Sequence, residues 1–208
     1  MKIIGITGGI GTGKSAVAEI LRRRGWVVLS SDETAREIMT NDTAVIEAVA
    51  NLLGTDVIEN GALNRSKIAE LVFGSSEEQR QKLAALNKIV HPRVMDAHMQ
   101  RITELADADC PLVAIETALL FETGLDEGMD YVIVVDAPEE AQLARAQQRS
   151  KLTKEQVLAR IAQQMSMTEK RNHADFVIDN SGTMADLEKA TNTLANIIEI
   201  LPVPTNND

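Results

Sequence analysis

The sequence predicts an α/β protein built on a five-stranded parallel sheet flanked by helices. Three observations predict it. Five short runs rich in Val and Ile, at residues 2–7, 26–30, 112–116, 131–136 and 175–179, are nearly continuous in apolar side chains, as strands buried on both faces are. Amphipathic helical stretches separate them, which is the alternation of parallel crossovers. The first run leads into Gly8-Gly9-Ile10-Gly11-Thr12-Gly13-Lys14-Ser15, a glycine-rich turn that opens onto a helical pattern. Strand, turn and helix N-terminus in that order make a phosphate-binding unit.

The composition sets the bounds. A chain of 208 residues with 44% hydrophobic content holds one substantial core and an insertion or two. Aromatics are 2%, so that core is built from Ile, Leu, Val, Ala and Met. The net charge of −10 argues against bulk affinity for nucleic acid or an anionic membrane, but not against a local anion site. No run approaches the ~20 apolar residues of a membrane span. Strand and loop begin at once, so no signal peptide is expected. The single cysteine, Cys110, excludes an internal disulfide and a multi-cysteine metal site, and fits a reducing cytoplasm. No obligate protein partner is evident.

The loop at residues 8–15 is a complete G-x-x-x-x-G-K-S, the P-loop pattern. Its glycines let the backbone turn tightly and aim several N–H groups at one point. The amides of Gly11, Thr12, Gly13, Lys14, Ser15 and Ala16, with the positive end of the following helix, then suit the phosphates of a nucleoside triphosphate. Lys14 would reach the β and γ phosphates, and the Ser15 hydroxyl would ligate Mg²⁺. The helix over 14–24 places Val17, Ile20 and Leu21 on one face. It ends in Arg22-Arg23-Arg24, read as a solvated helix end that suits the dipole, with Gly25 at C′.

The second strand is expected to end near Ser30, beside the first. Asp32 would then emerge at the carboxyl edge, close to the terminal phosphate. Two readings of Asp32 are open on the residues alone: a base toward an acceptor hydroxyl, or a first-turn acid, since Ser30 and Glu33 have capping-box spacing. A carboxylate is a weak base toward an alcohol. It would act mainly by orienting the hydroxyl and accepting its proton late.

Residues 32–109 are far longer than the dozen or so a simple crossover needs. They read as helical throughout: 42–53, then 65–73 after the turn Glu59-Asn60-Gly61, then a helix entered from Ser75-Ser76-Glu77-Glu78, then a further helix begun at Pro92. This segment is expected to be a helical subdomain laid over the strand ends, where ligands bind in open α/β sheets. A second, polar insertion at 138–174 carries Arg145, Arg149, Lys151, Lys154, Arg160, Lys170 and Arg171. Thr153 and Gln156 give it a capping box. It reads either as charged, solvated helices or as a mobile lid that brings arginines onto the phosphates. A packing helix ends near 201, and 202–208 are expected to be a disordered tail. The nucleotide-binding core is thus 1–31, 110–137 and 175–201.

A P-loop alone does not separate kinase, GTPase and ATPase. The Asn-Lys-x-Asp that reads guanine is absent, because Asn87-Lys88-Ile89-Val90 lacks the acid. Three scattered histidines make no metal site.

The chain resembles the dephospho-coenzyme A kinase family along nearly its whole length. Thr7-Gly8-Gly9-Ile10-Gly11-Thr12-Gly13-Lys14-Ser15 is similar to that family's T-G-G-I-G-S-G-K-S, with Thr12 for the usual Ser. Asp32-Glu33-Thr34-Ala35-Arg36 matches D-x-x-A-R, His91-Pro92-Arg93-Val94 matches H-P-x-[IV], and Leu119-Leu120-Phe121-Glu122 matches L-L-F-E. Arg160-Ile161-Ala162-Gln163-Gln164, Glu169-Lys170 and Ala174-Asp175 follow R-I-x-x-Q…E-K…A-D, and Asn180-Ser181-Gly182 follows N-x-G.

The resemblance implies a three-layer P-loop NTPase fold with a helical substrate-binding insertion over 32–109 and a helical lid over 138–174. It implies ATP-dependent phosphorylation of the ribose 3′-hydroxyl of dephospho-CoA to give CoA and ADP, the last step of coenzyme A biosynthesis. It makes Asp32 the base, with Lys14, Arg145 and Arg149 as phosphate-facing groups, and gives coenzyme contacts to Asp32, Arg36, His91, Leu120 and Glu122. On its residues alone, His91 also fits a helix boundary before Pro92. One departure is plain: Glu116-Thr117-Ala118 stands where many members read D-V-P. Glu116 can still hold a Mg²⁺-bound water, whereas Thr117 and Ala118 are expected to relax the turn. A nucleoside or nucleoside-monophosphate kinase, and a non-catalytic nucleotide switch, remain the competing readings.

Overall fold

The computed structural model describes residues 1–74, 76–150 and 153–204, and the side chains of Arg149, Ser150 and Glu155 lie outside that description. The chain runs β1 (Lys2–Thr7), α1 (Lys14–Arg23), β2 (Val27–Ser30), α2 (Ser31–Asn41), α3 (Thr43–Leu53), β3 (Ile58–Glu59), β4 (Ala62–Leu63), α4 (Arg65–Val72) and α5 (Glu77–Asp107). It continues through β5 (Leu112–Glu116), β6 (Tyr131–Asp136), α6 (Glu139–Ser150), α7 (Lys154–Ile161), α8 (Met167–Asn172), β7 (Phe176–Asp179) and α9 (Met184–Ile200). Two compact units result: Met1–Ser30 with Glu104–Asp208, and Ser31–Thr103.

The first unit holds the five-stranded sheet, all parallel, in the order β2-β5-β1-β6-β7. The apolar runs forecast all five strands, two of them one residue too long at the start. Strand neighbours are another matter. β2 was expected beside β1, but β5 lies between them, with Glu116 in register with Ile6 on one side and Ser30 on the other. Neighbourhood in sequence is a weak guide here, because the long excursion between β2 and β5 leaves the returning strand free to enter the gap.

Side chains alternate across the sheet, as the pleat requires. On β6, Ile133 and Val135 join Ile4, Ile6, Val17, Leu21, Leu187 and Ile198 in the main core. Val132 and Val134 face the other way and pack with Leu120. α1 and α9 pack together in this unit. Residues Arg22 to Arg24 do more than solvate a helix end. Arg22 donates to the Val28 carbonyl, Arg23 pairs with Glu188, and Arg24 donates to Asn196 and pairs with Glu199.

Trp26 Nε1 also donates to Glu199, at 2.8 Å. These hydrogen bonds, Arg24 foremost, hold the Glu199 carboxyl down at about 2. A depressed carboxylate contributes stability above its unfolded pKa and loses it as pH falls through its folded value. Urea midpoints of the wild type should therefore fall between about pH 4.5 and pH 2 more steeply than those of Glu199→Gln. Exposure of the pair limits the difference to about 1 kcal/mol. Parallel curves for the two proteins would remove Glu199 from the acid response.

The second unit has its own core of Val45, Val49, Val57, Leu63, Ile68, Val72, Leu86, Val90 and Val94. It is not helical throughout. β3 and β4 form an antiparallel hairpin around Asn60 and Gly61, both with positive φ (52° and 80°). Asn-Gly is the pair that such a tight hairpin turn favours. The capping box is Ser76 with Gln79, whose side chains and amides bond reciprocally; Ser75 lies outside the described residues.

Pro92 does not begin a helix but lies inside α5, a helix of 31 residues. An internal proline costs roughly 3 kcal/mol through its missing N–H and its ring. Val90 and Val94, one turn apart and both buried in the same core, hold the helix on either side of it. No helix among the described residues is long and apolar enough to cross a membrane.

Candidate active site

The phosphate loop leaves the carboxyl end of β1 and enters α1 through Gly13, the N-cap, at φ 103°. Any other residue there would be strained, and its Cβ would also run into the Asn180 side chain. Gly11, at φ 76°, meets the Gln142 backbone in the same way. Asn180 Nδ2 donates to the Thr12 carbonyl at 2.7 Å, and Thr12 Oγ1 donates to the Gly9 carbonyl at 2.9 Å. Lys14 is buried, and its Nζ donates to the Gly9 carbonyl at 2.9 Å. The loop is thus held by Thr12, Lys14 and the downstream Asn180, with Ser15 exposed in the first turn of α1.

Arg145 stands next to this loop. Its Nη2 donates to the Asn180 carbonyl at 3.0 Å, while Nη1 is buried with no partner among the described residues. An unpaired guanidinium nitrogen is costly to bury, and an anion would satisfy it. Arg149 lies in α6, but its side chain is outside the described residues.

Glu116 ends β5 and is 4% exposed, with Ser30 Oγ donating to its Oε2 at 2.7 Å. That hydrogen bond holds one oxygen of an acid at the carboxyl end of β5, the strand between β1 and β2. Ser30 Oγ thus spends its one donor on Glu116. The following turn is not relaxed. Thr117 Oγ1 accepts the Leu119 N–H, a local side-chain turn of the kind threonine supports. Leu120 is fully buried against Val132 and Val134, and Glu122 pairs with Lys170.

In the second unit, Asp32 and Arg36 are exposed in the first two turns of α2. Among the described residues, no hydrogen bond or ion pair engages the Asp32 carboxylate. His91 sits inside α5, half-buried, and burial pushes its imidazole below the usual range. It is therefore not a helix-boundary residue. His98 is more deeply buried, with Nε2 3.5 Å from Ser31 Oγ and Nδ1 unpartnered.

Sequence reasoning gave no site role to Asn180, Gln142, Gln164, Met167 or Lys170. Asn180, Gln164 and Lys170 lay inside the quoted motif strings, which was their only signal. Gln142 had none. Its place against Gly9 and Gly11 depends on where α6 meets the loop.

A parallel sheet with β1 at its centre, a glycine loop at its carboxyl end and a buried lysine folded onto that loop define the P-loop NTPase class. Within that class the chain belongs to the dephospho-CoA kinase family, whose profile matches residues 2–186. A dephospho-CoA kinase from Deinococcus radiodurans is 42% identical over 198 residues, 95% of this chain and 92% of that protein. A solved structure from Thermus thermophilus is similar at TM-score 0.77 and 37% identity, covering 97% of this chain and 98% of the other. A dephospho-CoA kinase from Campylobacter jejuni is similar at TM-score 0.69 and 26% identity, covering 96% and 98%.

Proposed function

We propose that the chain transfers the γ-phosphoryl group of ATP to the ribose 3′-hydroxyl of dephospho-CoA, giving CoA and ADP. The observation that carries this reading is family membership spread over 2–186, on a chain whose phosphate loop is complete. Phosphoryl transfer asks the protein mainly to position its reactants and to neutralise charge. The amides of residues 11–16 and Lys14 Nζ would cradle the phosphates. Arg145, with an unpaired buried nitrogen, is the better supported of the two lid arginines for the charge that develops in transfer. Arg36 and His91 are assigned to the coenzyme, and Asp32 to its hydroxyl.

The donor set fits Mg²⁺. Ser15 Oγ and, through water, Glu116 offer hard oxygens. The described residues hold no cluster of three or more His, Cys, Asp or Glu side chains that would build an all-protein cage. Magnesium usually keeps water and substrate phosphate as its other ligands, which suits such a sparse site. When bound it would neutralise phosphate charge. A free cysteine and the absence of any long apolar helix among the described residues are compatible with a cytoplasmic reaction.

An ADP-release assay across dephospho-CoA, adenosine, AMP and nucleosides tests the reading. Magnesium-dependent ADP release with dephospho-CoA, at least tenfold above any other acceptor, is expected. Preference for a nucleoside or for AMP would move the chain to another small-molecule kinase. Slow hydrolysis indifferent to every acceptor would make it a nucleotide switch.

A further inference from the structure

Lys170 is a lysine with no exposed surface at all. Its Nζ donates to the Ala118 carbonyl at 2.6 Å and lies 2.9 Å from Glu122 Oε1 and 3.2 Å from Oε2. Glu122 Oε1 also accepts the Met165 N–H at 2.7 Å. Ala118 and Glu122 belong to the turn after β5, and Met165 leads into α8. That turn is seated on the sheet by Leu120, which fills the space over Gly5 of β1, where a Cβ would lie 2.8 Å from Leu120 Cδ2. The clasp therefore joins a turn fixed on β1 to the segment at 164–170.

The same segment reaches the phosphate loop. Gln164 Oε1 accepts the Ile10 N–H at 3.3 Å, and Met167 Sδ accepts the Gly9 N–H at 3.1 Å. Met165 lies between these two residues. A buried ammonium holds its carboxylate partner firmly, because either charge left alone in the interior is costly. Burial pushes the Lys170 amine down, and the Glu122 carboxylate beside it opposes that shift.

We infer that Glu122 and Lys170 are positioning residues for the phosphate loop: their clasp sets the segment at 164–167 against the amides of Gly9 and Ile10 and so tunes nucleotide affinity. Glu122 then has a duty other than touching the coenzyme. The inference rests on reading residues 8–15 as the nucleotide site, but not on the identity of the acceptor.

The test measures binding of a non-hydrolysable ATP analogue by calorimetry, with no acceptor present, and then KM for each substrate. The variants are Lys170→Met, Glu122→Gln, Gln164→Ala and the double variant Gln164→Ala/Lys170→Met. Small misplacements near a reacting group can cost up to a hundredfold. Nucleotide affinity should fall about tenfold in Lys170→Met and several-fold in Glu122→Gln, with the KM for dephospho-CoA within about twofold of wild type. The double variant should be no worse than Lys170→Met alone, because both changes break one linkage. Glu122→Gln keeps the size and the acceptor, so it serves if Lys170→Met does not fold.

Three results overturn the proposal. A rise confined to the KM for dephospho-CoA would make Glu122 a substrate contact. A lower melting temperature with both affinities intact would make the pair packing only. Additive losses in the double variant would separate the clasp from the loop. Calorimetry without acceptor keeps the answer readable even if dephospho-CoA proves to be the wrong substrate.

Discussion

Lys14→Ala should lower kcat by about a thousandfold while leaving the protein folded. The lysine is the buried cation of the phosphate loop, and its Nζ is within hydrogen-bond reach of the Gly9 carbonyl at 2.9 Å. With ATP in place it would turn from that carbonyl to the phosphates. Removing one preorganised donor from a developing charge costs about 10²–10³ in rate, and a full positive charge lies at the upper end. The effect on folding is smaller, because the charge-assisted hydrogen bond to the Gly9 carbonyl contributes up to about 3 kcal/mol. Thr12 Oγ1 and Asn180 Nδ2 still bond the loop carbonyls in the variant. Turnover from ADP release and a urea melt separate the two quantities. Activity within tenfold of wild type would mean that Lys14 does not face the transferred group.

The parts of this fold that sequence made legible are those set by local chemistry. Strand positions followed from continuous Val and Ile runs, since only a sheet covered on both faces tolerates them. The loop followed from spacing, and the Thr153–Gln156 box from a short-range hydrogen-bond pattern that the structure contains. The failures share a cause as well. The entry of β5 between β1 and β2, the passage of α5 through Pro92 and the burial of Lys170 depend on partners distant in sequence. Pro92 is the clearest case. Local preference put a helix start at Pro92, and two flanking valines in a common core carried one helix through it. The β3–β4 hairpin differs, because its signal, Asn60-Gly61, was visible as a turn and the strands beside it were too short to show a period.

The candidate site divides in the same way. Lys14, Ser15 and the loop amides carry their chemistry in the motif itself. The groups that shape the loop, Gln142, Asn180 and the Gln164–Met167 pair, come from chain far downstream. A side chain whose work is to hold another backbone in place leaves no chemical mark in sequence, because an amide or a thioether suits many environments. Glu122 illustrates how little a motif string settles. An acid in a recognisable string invites a ligand-binding role, and its oxygens here also engage Lys170 and the Met165 amide.

Asp32→Asn should lower kcat by about 10²–10⁴, the range for a lost general base, with ATP affinity within about twofold of wild type. The residues alone left base and helix-cap readings level, and the family resemblance favoured the base. One observation bears on the choice. The Asp32 carboxylate is exposed and unengaged by any described residue, so it is open to an incoming hydroxyl. A first-turn acid that interacts only with the helix dipole contributes about 0.3–1 kcal/mol to stability. The cap reading therefore predicts a slightly lower melting temperature and an unchanged kcat. The base reading predicts a collapse of kcat that no such stability change can produce. Asparagine keeps the size and can still accept a hydrogen bond, but it cannot take the proton. Single-turnover rates with saturating ATP and dephospho-CoA isolate the chemical step from product release. A single-turnover rate within threefold of wild type would return Asp32 to the helix and leave the acceptor proton to solvent or to the phosphate itself.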